Sequence, residues 1–192
     1  AVICVEDPLR EEAADAVREL KEAGITKVVM MTGDSERTAA AIAKRVGVDE
    51  YYSEVLPEDK ASFVEKEKEL GHKVIMIGDG INDSLALSSA SVGIAISDGA
   101  AIAREIADVT ISADNLHEIV TLKRLSTALM KRIHNNYRTI IGINGGLIAL
   151  GVTGIIMPTT SALLHNMSTL TISLRSMRNL LPKEEDRKST RL

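Results

Sequence analysis

Apolar runs of strand length recur along the first part of the chain, at residues 2–5, 27–31, 74–77, Val92–Ile96 and Val109–Ile111. Between them lie helical patterns with legible ends. Residues 9–23 close at Gly24, Glu36–Val46 follows Asp34-Ser35 and closes at Gly47, and residues 58–70 follow Pro57 and close at Gly71. This alternation predicts an α/β fold: a doubly wound, mainly parallel Rossmann-like sheet with crossovers of fixed hand. Ligands of such sheets lie beyond the carboxyl ends of the strands. From residue 139 the pattern changes, because 139–174 contains no Lys, Arg, Asp or Glu. Residues 140–157 and 159–181 are read as a transmembrane α-helical hairpin with a turn at Pro158. Lys123, Arg124, Lys131, Arg132 and Arg138 precede it, and Arg175, Arg178, Lys183 and Arg187 end or follow it. Positive charge marks the cytosolic side, so both ends are expected in the cytosol.

Composition sharpens this division. The mean hydropathy of +0.06 is high for a chain in which 26% of residues are charged, and it reflects the segregation of charge from apolar sequence. A net charge of −4 and a pI near 5.6 give no basic surface for nucleic acid. The single Cys4 excludes an intramolecular disulfide and a Cys-x-x-Cys site.

The candidate chemistry collects where strands end. Residues 74–77 run into Gly78-Asp79-Gly80, and Asn82-Asp83-Ser84 opens a helix. Asp79 at the strand tip and Asp83 in the first helical turn can converge on one hard cation, and Mg²⁺ suits one or two carboxylates plus waters and phosphate oxygens. The same residues also suit a turn and a helix cap. Thr32-Gly33-Asp34 follows another strand, where a hydroxyl and backbone N–H groups suit a phosphate oxygen or an ordinary N-cap. Lys60 falls in the first turn of a helix, against the dipole, and is explained by an anion nearby or by solvation. Together, Thr32, Lys60, Asp79 and Asp83 describe a phosphoryl-transfer site that lacks a nucleophile.

Met31-Thr32-Gly33-Asp34, Pro57-Glu58-Asp59-Lys60 and Gly78-Asp79-Gly80-Ile81-Asn82-Asp83 resemble the phosphorylation domain of P-type ATPases, in the haloacid dehalogenase (HAD) superfamily. Asp7-Pro8-Leu9-Arg10 resembles that family's hinge, and residues 92–108 its closing strand and helix. The resemblance implies a HAD-like domain over residues 1–114, a linker helix over 115–138, two transmembrane helices over 139–181 and a tail over 182–192. It makes Asp79 and Asp83 the Mg²⁺ site, Lys60 the phosphate-facing cation, and Thr32, Gly33 and Asp34 the phosphate-holding turn. The family's phosphorylated Asp and its ATP-binding nucleotide domain are expected ahead of Ala1, so the chain is read as a C-terminal piece that is inactive by itself. Its partners are then the rest of the same pump, the lipid bilayer of a multi-pass membrane protein, in a prokaryote's plasma membrane, and the transported ion.

Two spans after the phosphorylation domain resemble the heavy-metal (type IB) subfamily, which exports its ions. Asn144 on the first span and His165, Asn166, Ser168 and Thr169 on the second are polar groups in an apolar setting, suited to helix contacts or to an ion pathway. Imidazole with oxygen donors suits a divalent transition metal. Two other readings stand beside this one: a soluble HAD-type phosphatase, which leaves the apolar hairpin without purpose, and a non-catalytic regulatory membrane fragment, which the missing nucleophile supports. A two-component receiver domain also orders Thr before Lys, but it needs its acidic pair earlier in the domain.

Overall fold

The computed structural model of the chain describes residues 9–10, 12–78, 82–96, 105–111 and 116–181. Asp79, the Asp7-Pro8 part of the hinge, Cys4, the strand expected at 2–5 and the tail from Pro182 lie outside the described residues. The chain divides into two compact units, Ala1–Val120 and Thr121–Leu192.

In the first unit the elements run α1 (Ala13–Glu22), β1 (Val29–Met31), α2 (Glu36–Val46), β2 (Glu50–Tyr52), α3 (Pro57–Glu69), β3 (Ile75–Gly78), α4 (Ser84–Ser89), β4 (Val92–Ile96) and β5 (Val109–Ile111). Among the described residues the strands form two parallel sheets, β1-β2 and β3-β4-β5, rather than the single sheet expected. Within each the pairing is parallel, with Ile77 opposite Ile94 and Ile94 opposite Val109. Strand β2 is unanticipated. It is three residues long and exposed along its length, so it offers no apolar run, yet Met30 and Tyr51 are register partners.

Small side chains carry much of the helix packing. Ala13 and Ala16 of α1, Ala39 and Ala43 of α2, and Ala86 of α4 are buried, and Ala61 and Val64 of α3 pack with Ala86 against Val74 and Met76. Gly93 serves the same purpose on β4. A Cβ there would lie 2.6 Å from the Leu87 carbonyl oxygen, so only glycine lets the backbone of α4 approach this strand.

The second unit contains most of α5 (His117–Val152), whose first turn buries Ile119 and Val120 in the first unit, and α6 (Pro158–Ser176). The linker helix and the first expected span are one continuous helix, with no break at Arg138. That helix stops at Val152, short of Met157. Gly154 takes φ +74°, its N–H donates to Gly151 O at 3.0 Å, and the Ile155 N–H donates to Leu150 O at 3.0 Å. This is the paired-bond terminator that a left-handed glycine allows. Pro158 then opens α6 at its first position.

The early stop moves the helix ends away from the expected bounds of the two spans. Among the described residues, no helix is long and apolar enough to cross a membrane. The apolar residues 155–157 fall in the turn, while the helical stretch before Val152 includes Asn135, Asn136 and Arg138. In α6, which ends at Ser176 rather than Leu181, Ser, Thr, Asn and His side chains dilute the apolar ones.

Candidate functional site

The loop after β3 and the first turn of α3 bring two of the predicted residues together. Asp83 is the N-cap residue of α4, and Lys60 stands in the opening turn of α3. Lys60 Nζ donates to Asp83 Oδ1 at 2.7 Å, and the side chains are only 15% and 12% exposed. A pair this sheltered is screened far less than a surface ion pair. Gly78, at the tip of β3, makes the arrangement possible. A Cβ there would lie 2.7 Å from the Cβ of Asp83 and 2.9 Å from its Cγ.

The start of α3 is fixed independently of this pair. Pro57 occupies the first position, and Asp59 Oδ2 accepts the Leu56 N–H at 3.3 Å, reaching back to the residue before the helix. Val64, one turn on from Lys60 and on the same face, and Ala61 are buried with Ala86 of α4, so the packing of α3 on α4 as well as charge holds Lys60 toward Asp83.

The Thr32-Gly33-Asp34 turn lies at the tip of β1. Thr32 Oγ1 donates to Asp34 Oδ2 at 2.9 Å and accepts the Asp34 N–H at 3.1 Å. The turn is therefore closed on itself. Its backbone is tied to the segment that leads into α3, because the Val55 N–H donates to Thr32 O at 3.0 Å and the Glu54 N–H to Asp34 O at 2.9 Å. A Cβ on Gly33 would meet only Val55 O, at 3.9 Å, so the protein itself leaves the space beside this glycine open. Asp79 lies outside the described residues, and its relation to Asp83 is not part of this geometry.

In the second unit, His165 Nδ1 donates to Asn144 Oδ1 at 2.8 Å. An amide oxygen only accepts, so this contact needs a proton on Nδ1. Asn144, Ile148, Pro158, Ser161, His165 and Asn166 are among the residues lining an open cavity of about 700 Å³. Ser168 and Thr169 do not join them: their hydroxyls donate to the His165 carbonyl, at 2.8 and 3.0 Å. Among the described residues there is no group of three or more His, Cys, Asp or Glu side chains that could hold a metal ion.

One polar cluster was not anticipated. Glu36 accepts from Ser53 at 2.6 Å and from Tyr51 at 2.8 Å, and these bonds, that of Ser53 first, lower its carboxyl pKa. Its members are scattered in sequence and joined by the β1-β2 pairing, so no local motif announces it.

An α/β unit whose site residues gather where strands end is the class of architecture that HAD-type phosphoryl-transfer domains share, and residues 1–91 match the haloacid dehalogenase-like hydrolase family. The longer matches are more particular. A zinc-exporting P-type ATPase of Mycobacterium marinum is 36% identical over 178 residues, which are 92% of this chain and 24% of that protein. A manganese-exporting P-type ATPase of Mycobacterium tuberculosis is 37% identical over 92% of this chain and 25% of its own length. The crystal structure of a zinc-transporting PIB-type ATPase in the E2.Pi state superposes with a TM-score of 0.83 at 33% identity, covering 92% of this chain and 29% of that one. The chain belongs to the heavy-metal P-type ATPases and corresponds to a C-terminal portion of them that includes the HAD phosphorylation-domain region. It spans about a quarter of the length of these relatives.

Proposed function

We propose that this chain serves an ATP-driven exporter of a transition-metal cation, its α/β unit completing a phosphoryl-transfer site and its helical hairpin lying in the bilayer. The observation that carries the reading is the sheltered Lys60–Asp83 pair, packed against Gly78 at a strand tip. An ammonium and a carboxylate held there suit a transferring phosphoryl group better than they suit stability, since such pairs contribute little net stability.

The residues fit Mg²⁺, which accepts one or two carboxylates and takes water or phosphate oxygens for the rest, so a larger acidic cluster is not required. Asp83, with Asp79, would hold it, and the ion would offset charge on the phosphoryl oxygens. Lys60 would offset the remaining charge. Thr32 and the N–H groups beside Gly33 would receive phosphoryl oxygens in the open space there, once the Thr32 hydroxyl turns from Asp34. The aspartyl nucleophile and the ATP site belong to other parts of the pump.

For the hairpin, large apolar side chains lie exposed along both helices, among them Ile141, Ile148, Leu163, Met167 and Leu170. Exposed apolar surface of this extent marks a partner, and lipid is the partner that suits the absence of charge over 139–174. The apolar run outlasts α5 and continues through a turn in which the N–H groups of residues 153–156 all find carbonyl partners, which eases the cost of backbone at membrane depth. His165, Asn144 and Asn166 offer nitrogen and oxygen donors of the kind a divalent transition ion takes.

The test uses the full-length pump. Asp83→Asn and Lys60→Ala are each expected to slow Mg²⁺-dependent turnover of the phosphoenzyme on the order of 10²-fold, the scale of losing one electrostatic contact in a reacting site. Turnover that stays at the wild-type rate in both variants would sink the phosphoryl-transfer reading.

A further inference from the structure

The end of α6 is capped from the neighbouring helix. Arg132 of α5 donates from Nη1 to the carbonyl oxygens of Ser176, at 3.0 Å, and of Arg178, and from Nη2 to Asn179 O at 2.9 Å. Four residues further along α5, Asn136 Nδ2 donates to Ser176 Oγ at 2.7 Å, and that hydroxyl donates to Ile172 O at 2.8 Å. The last carbonyls of a helix have no partner within it, and a cation there is favoured by the helix dipole. A guanidinium fits this place better than an ammonium, because its donors form a rigid fork able to reach several carbonyls at once.

The consequence reaches along the helix. His165 and Ser176 belong to the same helix, eleven residues apart, or roughly 16 Å along the axis. The two helices therefore meet through polar contacts at two levels, the Arg132 fork and the His165–Asn144 bond. Large apolar side chains do little to fix their register: α6 buries none of its residues, and α5 buries only Ile119 and Val120 at its start. If the fork releases the end of α6, a small rotation or slide of that helix is enough to part imidazole from amide.

We propose that Arg132 is a positioning residue that sets the register of α6 against α5 and thereby holds the His165 ring to Asn144 at the hairpin cavity. Its functional consequence rests on the reading of that cavity as the ion's site. The positioning itself is tested without any ion. In the full-length pump carrying ¹⁵N-labelled histidine, the His165 ring signal, identified by its loss in His165→Ala, should show a proton fixed on Nδ1. Arg132→Gln should move it toward exchange between the two tautomers, and Arg132→Lys should fall between. A His165 signal unchanged in Arg132→Gln overturns the proposal. Should that variant fail to fold, Asn136→Ala, which removes only the Ser176 contact, is expected to move the signal in the same direction, and an unmoved signal there overturns it equally.

The functional arm measures ATP hydrolysis stimulated by Zn²⁺ or Mn²⁺. Arg132→Gln should raise the half-saturating concentration of the activating ion several-fold in the wild-type background and leave it unchanged in His165→Ala, since coupled residues are not additive. Equal losses in both backgrounds would mean that Arg132 acts on the fold alone, and would overturn the inference. A His165→Ala variant that behaves as wild type defeats the ion reading instead, and the ring signal still decides the role of Arg132.

Discussion

Position 78 and the side chain of Asp83 compete for the same space, and the protein resolves this by having no side chain at 78. Gly78→Ala is expected to destabilise the 192-residue chain by about 1–3 kcal/mol, the usual cost of overpacking, and to lower the midpoint of urea unfolding. Asp49 supports a different prediction. It accepts from Lys21 Nζ at 2.7 Å and from the Val28 N–H at 2.8 Å, and these bonds, that of Lys21 first, lower its pKa. The sign follows from linkage: a carboxyl with a depressed folded pKa stabilises above its unfolded value, about 3.9, and that contribution fades as the pH falls through the folded value. Unfolding midpoints of wild type and Asp49→Asn should therefore differ at pH 6 and converge in acid below that unfolded value. A constant difference down to pH 2 would refute the linkage.

At the scale of elements, local signals foretold helices better than their ends. The stops at Gly47 and Gly71 were legible because a left-handed glycine leaves few continuations, and both take positive φ. Gly154 carries the same signal inside an apolar run, where the reading for span length passed over it. At φ +74° an alanine would cost about 1–2 kcal/mol. Gly154→Ala is accordingly expected to lower the thermal midpoint of the hairpin in detergent by a few degrees, read by circular dichroism. Strand β2 eluded the sequence for the opposite reason. Its three residues are exposed, and what holds them is the backbone pairing with β1 and the tilted contact of Tyr52 with Phe63 at 5.2 Å, both of which require the fold.

For the whole molecule, two units of contrasting chemistry stand in one chain. The first buries small apolar residues beneath charged helices; the second leaves its large apolar residues exposed. Full-length protein is expected to pellet with membranes and to resist extraction by alkaline carbonate. Release into the soluble fraction would count against a bilayer around the hairpin. His165→Ala should reduce ion-stimulated ATP hydrolysis in the pump by about tenfold or more, a loss in the range of removing one partner in a metal site. An unaltered response to every ion tried would remove His165 from the pathway.

Much was written in the chain itself: the α/β order, the helix stops at glycine, the segregation of charge, and the Thr32, Lys60 and Asp83 positions, because backbone geometry and periodic burial are local properties that leave local marks. Tertiary structure alone decided that Lys60 reaches Asp83 and not solvent, and that Arg132 caps a helix more than forty residues away. A side chain's partner depends on which distant backbone is packed beside it. Spacing along the chain does not carry that information.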